Sequence, residues 1–186
     1  MQPLGRRLGG LGLTPNMLTT MSLLISCLAG LTYMFRFPFF GALGLVASGF
    51  VDMLDGAVAR AAGRATRFGA VFDHVLDRYA EFAILIGIGL GGFADWLWII
   101  FCLFGMVMAS YARAKAESVG GLKHCTVGIA ERQEKMILLL AGSLLQPFFS
   151  IALAVSAIVI GLSSHVTVVQ RLHYTFTQTR GSSVDI

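Results

Sequence analysis

Charge is scarce in this sequence. Only 13% of its 186 residues are Asp, Glu, Lys or Arg, while 56% are hydrophobic, roughly half the charge of an ordinary soluble domain. Cysteine is sparse as well. Cys27, Cys102 and Cys125 stand isolated from one another, so neither a disulfide framework nor a thiolate zinc site is suggested, and all three read as small apolar packing residues. Internal repeats and low-complexity tracts are lacking, and no interval between apolar runs is long enough for a separate soluble domain. The net charge is only +4, and no nucleic-acid partner is expected.

What the chain does contain is apolar length. A mean hydropathy of +0.77 marks an integral membrane protein, and at about 20 residues per crossing there is room for roughly six spans. The expected architecture is all-α: one membrane domain over 1–186, with a short interfacial N-terminus at 1–14, a six-helix bundle at 15–170 and a polar tail at 171–186. The spans are expected at 17–35, 39–62, 68–92, 93–116, 128–145 and 147–169. Thr14-Pro15 is a helix-start signal, Arg36-Phe37-Pro38 and Gln146-Pro147 mark outer turns, and Trp96 and Trp98 suit a membrane interface. The first apolar run is long and closes on no small-residue cleavage site, so a retained helix is expected in place of a signal peptide.

The placement of the basic residues orients the bundle. Arg6 and Arg7 precede the first span, Arg60, Arg64 and Arg67 separate the second from the third, and Arg113, Lys115, Lys123, Arg132 and Lys135 surround the connection from fourth to fifth. Arg171 and Arg180 follow the sixth, whereas Arg36 falls on the other side. By the positive-inside rule, both termini and the inter-span basic segments face the cytoplasm.

Against this apolar background, four of the ten acidic residues crowd into one stretch: Asp52, Asp55, Asp73 and Asp77. An unpaired carboxylate in such surroundings is costly, and four at one depth would repel strongly unless cations lay between them. At 100° per residue, Asp52, Asp55, Gly56 and Ala59 share one side of the second helix, and Gly69, Asp73 and Asp77 share one side of the third. The short turn between these helices predicts that they pack antiparallel against each other, so that the carboxylates can converge. Oxygen-only ligands favour magnesium, manganese or calcium. Gly56, Ala59 and Gly69 keep the approach open for a large group, and Arg60 adds positive charge at the mouth. Carboxylates, divalent cations and arginine together suit phosphoryl chemistry. A proton- or metal-coupled transporter is the rival from another class, but it predicts polar groups continuing across the membrane, and here the outer halves of the spans are almost wholly apolar.

The pattern Asp52-x2-Asp55-Gly56-x2-Ala59-Arg60-x8-Gly69-x3-Asp73-x3-Asp77 resembles the full signature of the CDP-alcohol phosphotransferase family, with each of its eight positions filled. The resemblance implies a six-span membrane enzyme that transfers a phosphate-linked group from a CDP-activated donor to an alcohol and releases CMP. It implies that Asp52, Asp55, Asp73 and Asp77 bind metal, two Mg2+ or Mn2+ ions, with Asp77 as metal ligand or general base. Asp52, Gly56, Ala59, Arg60, Gly69 and Asp73 would form the CDP site, in a homodimer embedded in membrane lipid.

A second basic cluster bears on the acceptor. A neutral alcohol would not need this much convergent positive charge, whereas a phosphorylated polyol would. The patterns around Ser110-Tyr111-x-Arg113 and Gly128-x-Ala130-Glu131-Arg132-x-Glu134 are similar to those of the branch that uses inositol phosphate. On that resemblance Ser110, Arg113, Lys115, Arg132 and Arg171 would hold the acceptor phosphate. Glycerol phosphate is the nearest alternative acceptor, and the donor tails could be diacylglycerol or archaeol. Gly87-x-Gly89-x-x-Gly92 matches a dinucleotide fingerprint but follows no strand, so close helix packing is expected, with Gly87-x3-Gly91 as a possible helix-contact face. His74 is expected in packing, His124 in solvent, and Glu81 paired with Arg78.

Overall fold

The computed structural model describes residues 14–61 and 66–180. The expected interfacial segment other than Thr14, the turn residues 62–65 and the last six residues lie outside the described residues. Those described form six α-helices and no strand: α1 Pro15–Met34, α2 Pro38–Ala61, α3 Arg67–Leu90, α4 Trp96–Ser118, α5 Arg132–Leu145 and α6 Ala152–Thr179.

Local chemistry sets most of the helix starts. Thr14 Oγ1 accepts from Met17 N at 3.3 Å ahead of Pro15, and Thr66 Oγ1 accepts from Gly69 N at 2.9 Å. Asp95 Oδ1 accepts from Leu97 N at 2.8 Å, and Glu131 and Glu134 form a capping box for α5. Each satisfies amide groups that the first helical turn leaves without partners.

Four helices, α1, α2, α4 and α6, are long and apolar enough to cross a membrane. In α3 the charged set Asp73, Asp77, Arg78 and Glu81 lowers the hydropathy, and α5, at 14 residues, spans only about 21 Å at 1.5 Å per residue. Large apolar side chains, among them Leu24, Leu43, Phe50, Phe82, Phe104, Ile137 and Leu162, are exposed around the bundle. On an integral membrane protein this is the surface that meets lipid tails. Small and hydroxyl residues face inward instead: Ser22, Ser26, Ala29 and Gly30 on α1, and Ser156, Ala157, Gly161 and Ser164 on α6. They bring helix backbones close, as packing within lipid requires.

The tightest approach joins α1 to α3, where a Cβ on Gly87 would run into the backbone of Gly30. Gly91 abuts Tyr33 in the same way, so the Gly87-x3-Gly91 face is occupied within the protomer. Gly87→Val should therefore lower the heat-unfolding midpoint of the detergent-solubilised protein, because overpacking costs about 1–3 kcal/mol. An unchanged midpoint would show that the crossing tolerates separation.

Two features differ from the sequence expectation. First, α2 and α3 make few direct contacts; α1 packs against both, α4 packs against α6, and α5 reaches from α6 back to α2. Like charge on the sides that carry Asp52, Asp55, Asp73 and Asp77 opposes close packing of α2 directly on α3. Second, α6 continues nine residues beyond Gln170, into the stretch that the sequence predicts as a polar tail outside the bundle. Arg171 is buried and donates from Nη1 to Ala109 O at 2.6 Å and from Nε to Val127 O at 2.9 Å, which ties the extension to α4 and to the 119–131 loop.

Candidate active site

The aspartates converge across the gap between α2 and α3. One oxygen each from Asp52, Asp55 and Asp73 lies within 4.8 Å of the others. Thr19 of α1 donates to Asp55 Oδ2 at 2.8 Å and fixes that carboxylate from the side. Asp52 Oδ1 and Asp73 Oδ1 are buried without any hydrogen-bond partner, an arrangement that costs free energy unless a cation takes up the lone pairs. An all-carboxylate donor set with free, converging oxygens fits Mg2+ or Mn2+, hard ions that take oxygen ligands.

Asp77 stands one helical turn beyond Asp73 and is buried. Its Oδ1 receives Arg132 Nη2 at 2.7 Å, while Arg132 Nη1 donates to Asp52 Oδ2, also at 2.7 Å. Arg132 thus straddles α2 and α3 from the first turn of α5. The sequence reading placed this guanidinium on the acceptor phosphate; the structure engages it with two carboxylates. Spacing along the chain could not show this, because Arg132 is 80 residues from Asp52. His74 is exposed, yet one ring nitrogen lies within 4.8 Å of carboxylate oxygens of Asp73 and Asp77. Its long side chain swings back across the 100° that separates it from Asp73 on the helix.

The residues expected to line the CDP site are at the same mouth. The nearest atoms to a Cβ on Gly56 would be those of the Arg60 guanidinium, from 3.1 Å, and one on Gly69 would meet Thr66 Oγ1 at 3.0 Å and Asn16 Oδ1 at 3.4 Å. Ala59 is half-buried between them in sequence, and Arg60 is exposed in the last turn of α2.

The second basic cluster is only partly gathered. Ser110 accepts from Arg78 Nη1 at 2.8 Å. Arg113, one turn on, pairs with Glu117 at 3.1 Å. Arg171 touches the carbonyl of Ala109, next to Ser110. Lys115 does not join them. Two residues past Arg113 places it on the opposite face of α4, exposed, with its ammonium 5.6 Å from the Tyr111 ring centroid. Glu81 pairs with Arg78 at 2.8 Å, and His124 is exposed in the loop. The sequence reading missed Thr19, since a threonine in an apolar helix carries no signal of its own.

An all-helical membrane bundle whose converging carboxylates suit divalent cations, with arginines beside them, defines a membrane enzyme of phosphoryl-group transfer. The family described as CDP-alcohol phosphatidyltransferase matches residues 12–171, and the chain belongs to that family. The archaetidylinositol phosphate synthase of Methanothermobacter thermautotrophicus is 42% identical, over 88% of this chain and 84% of that protein. Among solved structures, the Mycobacterium tuberculosis phosphatidylinositol phosphate synthase with CDP-DAG bound matches with a TM-score of 0.87 and 31% identity, covering 100% of this chain and 98% of the other. The same mycobacterial enzyme in complex with manganese and citrate matches with a TM-score of 0.84 and 33% identity, over 95% and 88% of the two chains.

Proposed function

We propose that this protein transfers the lipid-phosphate group of a CDP-lipid to inositol phosphate and releases CMP. The observation that carries the chemistry is the convergence of Asp52, Asp55 and Asp73 with free oxygens, beside an Asp77 held by Arg132. Support for the acceptor comes from relatives named as inositol phosphate lipid synthases and from the positive charge around Ser110.

Asp52, Asp55 and Asp73 would hold the divalent ions. When bound, the cations neutralise the diphosphate oxygens and the charge that builds on departing CMP. Gly56, Ala59 and Gly69 leave room for the cytidine diphosphate, and Arg60 supports it from the mouth. Asp77 Oδ1 is taken by Arg132, which leaves Oδ2 to accept the proton of the acceptor hydroxyl. As that proton leaves, the hydroxyl oxygen bonds to the lipid-linked phosphorus, and the bond from this phosphorus to CMP breaks. Ser110, Arg113 and Arg171 hold the acceptor's phosphate, Arg113 by giving up Glu117 and Arg171 through Nη2, which neither of its carbonyl bonds uses. Arg132 can contribute only from its position on the carboxylates, and Lys115 is better placed for lipid headgroups.

In the membrane, all six helices cross as one domain, α3 and α5 included, because these two also expose large apolar side chains, Phe68, Val71, Phe82 and Leu90 on α3 and Ile137, Leu144 and Leu145 on α5. The basic segments put the site and both termini in the cytoplasm. The chain works as a homodimer. Purified protein supplied with Mn2+ should release CMP from a diacyl or archaeol CDP-lipid in the presence of inositol phosphate. Robust turnover with glycerol phosphate and none with inositol phosphate would overturn the acceptor assignment.

A further inference from the structure

One to two helical turns deeper than the aspartates lies a cavity of about 40 Å3. Its polar lining is Ser26, Ser48, Glu81, Arg132 and Lys135, and the remainder is apolar. At 10–15 Å3 per site, this is room for about three water molecules.

Lys135 decides how the cavity must be filled. It is 92% buried, at 8% relative exposure, lines the cavity, and forms none of the ion pairs found among the described residues. An ammonium that no protein acceptor meets is costly inside a membrane bundle unless water reaches it. Arg132 Nε is also buried and without a partner. Across the same cavity, Glu81 uses Oε1 for Arg78, and Arg78 in turn holds Ser110 Oγ.

Two polar chains therefore end at this cavity. One runs from Asp52 and Asp77 through Arg132, and the other from Ser110 through Arg78 to Glu81. No protein contact of 4.0 Å or less joins Glu81 to Arg132 or Lys135 among the described residues. The serines and the three charged groups offer donors and acceptors in the mixture that ordered water needs.

We propose that the cavity binds a cluster of ordered waters, held by the Lys135 ammonium, the Glu81 carboxylate and the Arg132 guanidinium, which closes the two chains into one. Lys135 and Glu81 are then positioning residues. They set the guanidinium that aims Asp77, and they couple the carboxylate helices α2 and α3 to Ser110 on α4. The role of the cluster in turnover rests on the reading of Asp77 as proton acceptor; the presence of the waters does not.

The test uses the full-length protein with Lys135→Met, Glu81→Gln and the double variant. CMP release is measured with whichever acceptor the wild type uses and expressed per Mn2+-binding site, so that a lost fraction of folded enzyme does not count. Each single variant should lower kcat about tenfold, as is usual for groups that orient others through hydrogen bonds, with donor KM within about twofold. The double variant should fall no further than the weaker single one, because both substitutions dismantle the same cluster. Losses that multiply in the double variant, or a wild-type kcat in Lys135→Met, overturn the proposal. If a variant does not fold, a wild-type map that resolves ordered water decides: waters within hydrogen-bond distance of Lys135 Nζ and Glu81 support the cluster, and a dry cavity or a direct Lys135–Glu81 ion pair overturns it. An absence of turnover in the wild type, with the waters present, would count against the proposed reaction and not against the cluster.

Discussion

Asp73→Asn should lose Mn2+ binding and lower turnover by about 10³-fold or more. A bound cation contributes several kcal/mol to stabilising charge in such a transfer, and about 1.4 kcal/mol corresponds to each tenfold. Asp73 is the one α3 carboxylate that meets both Asp52 and Asp55 within 4.8 Å, so its loss opens the site on that side. The amide has the same shape and removes one charge from a repelling group. The metal-free variant should therefore be at least as resistant to heat as the metal-free wild type, with added Mn2+ raising the midpoint of the wild type alone. Calorimetric titration with Mn2+ and a CMP-release assay check both halves. Full Mn2+ affinity in the variant would take Asp73 out of the metal site.

Asp77→Asn should have a different signature. Turnover should fall by about 10²–10⁴-fold, the usual contribution of a positioned general base, while CDP-donor binding stays within a few-fold of wild type. The reason is positional. Asp52, Asp55 and Asp73 form the converging oxygen set, whereas Asp77 is tied to Arg132 through Oδ1. An asparagine carbonyl still accepts that hydrogen bond, so the substitution leaves the guanidinium in place and removes the proton acceptor. Near-normal CMP release would remove Asp77 from the role. Loss of Mn2+ binding equal to that of Asp73→Asn would make it a metal ligand instead.

The comparison of Arg132 with Lys115 shows how far a basic cluster can be read from spacing. Both are basic residues beside the fourth-to-fifth connection, yet one is locked between two aspartates and the other stands exposed against Tyr111. Helical phase alone separates Lys115 from Arg113. Nothing local directs Arg132 toward Asp52; that contact follows from α5 packing on α2. The same holds for Thr19 and Asp55, brought together because α1 packs against both carboxylate helices. Gly87 is a case in between. Its place in a glycine-rich apolar run announces a close helix approach, but its partner, Gly30, is 57 residues away and known only from the fold.

Periodic and compositional properties were within reach of the sequence by itself. Hydropathy established a helical membrane protein, and the first helix start followed from Thr14 and Pro15. The side of each helix that carries aspartate followed from the 100° step, and the eight-position pattern named the chemistry. These depend on neighbours in the chain, and such interactions are written locally. The tertiary structure alone decided that α2 and α3 stay apart with α1 packed against both, that Arg132 bridges their carboxylates, that Arg171 anchors an extended α6, and that Lys135 and Glu81 face one small cavity. Each of these is a meeting of side chains from helices distant in sequence, where packing and charge in three dimensions, and not spacing along the chain, select the partner.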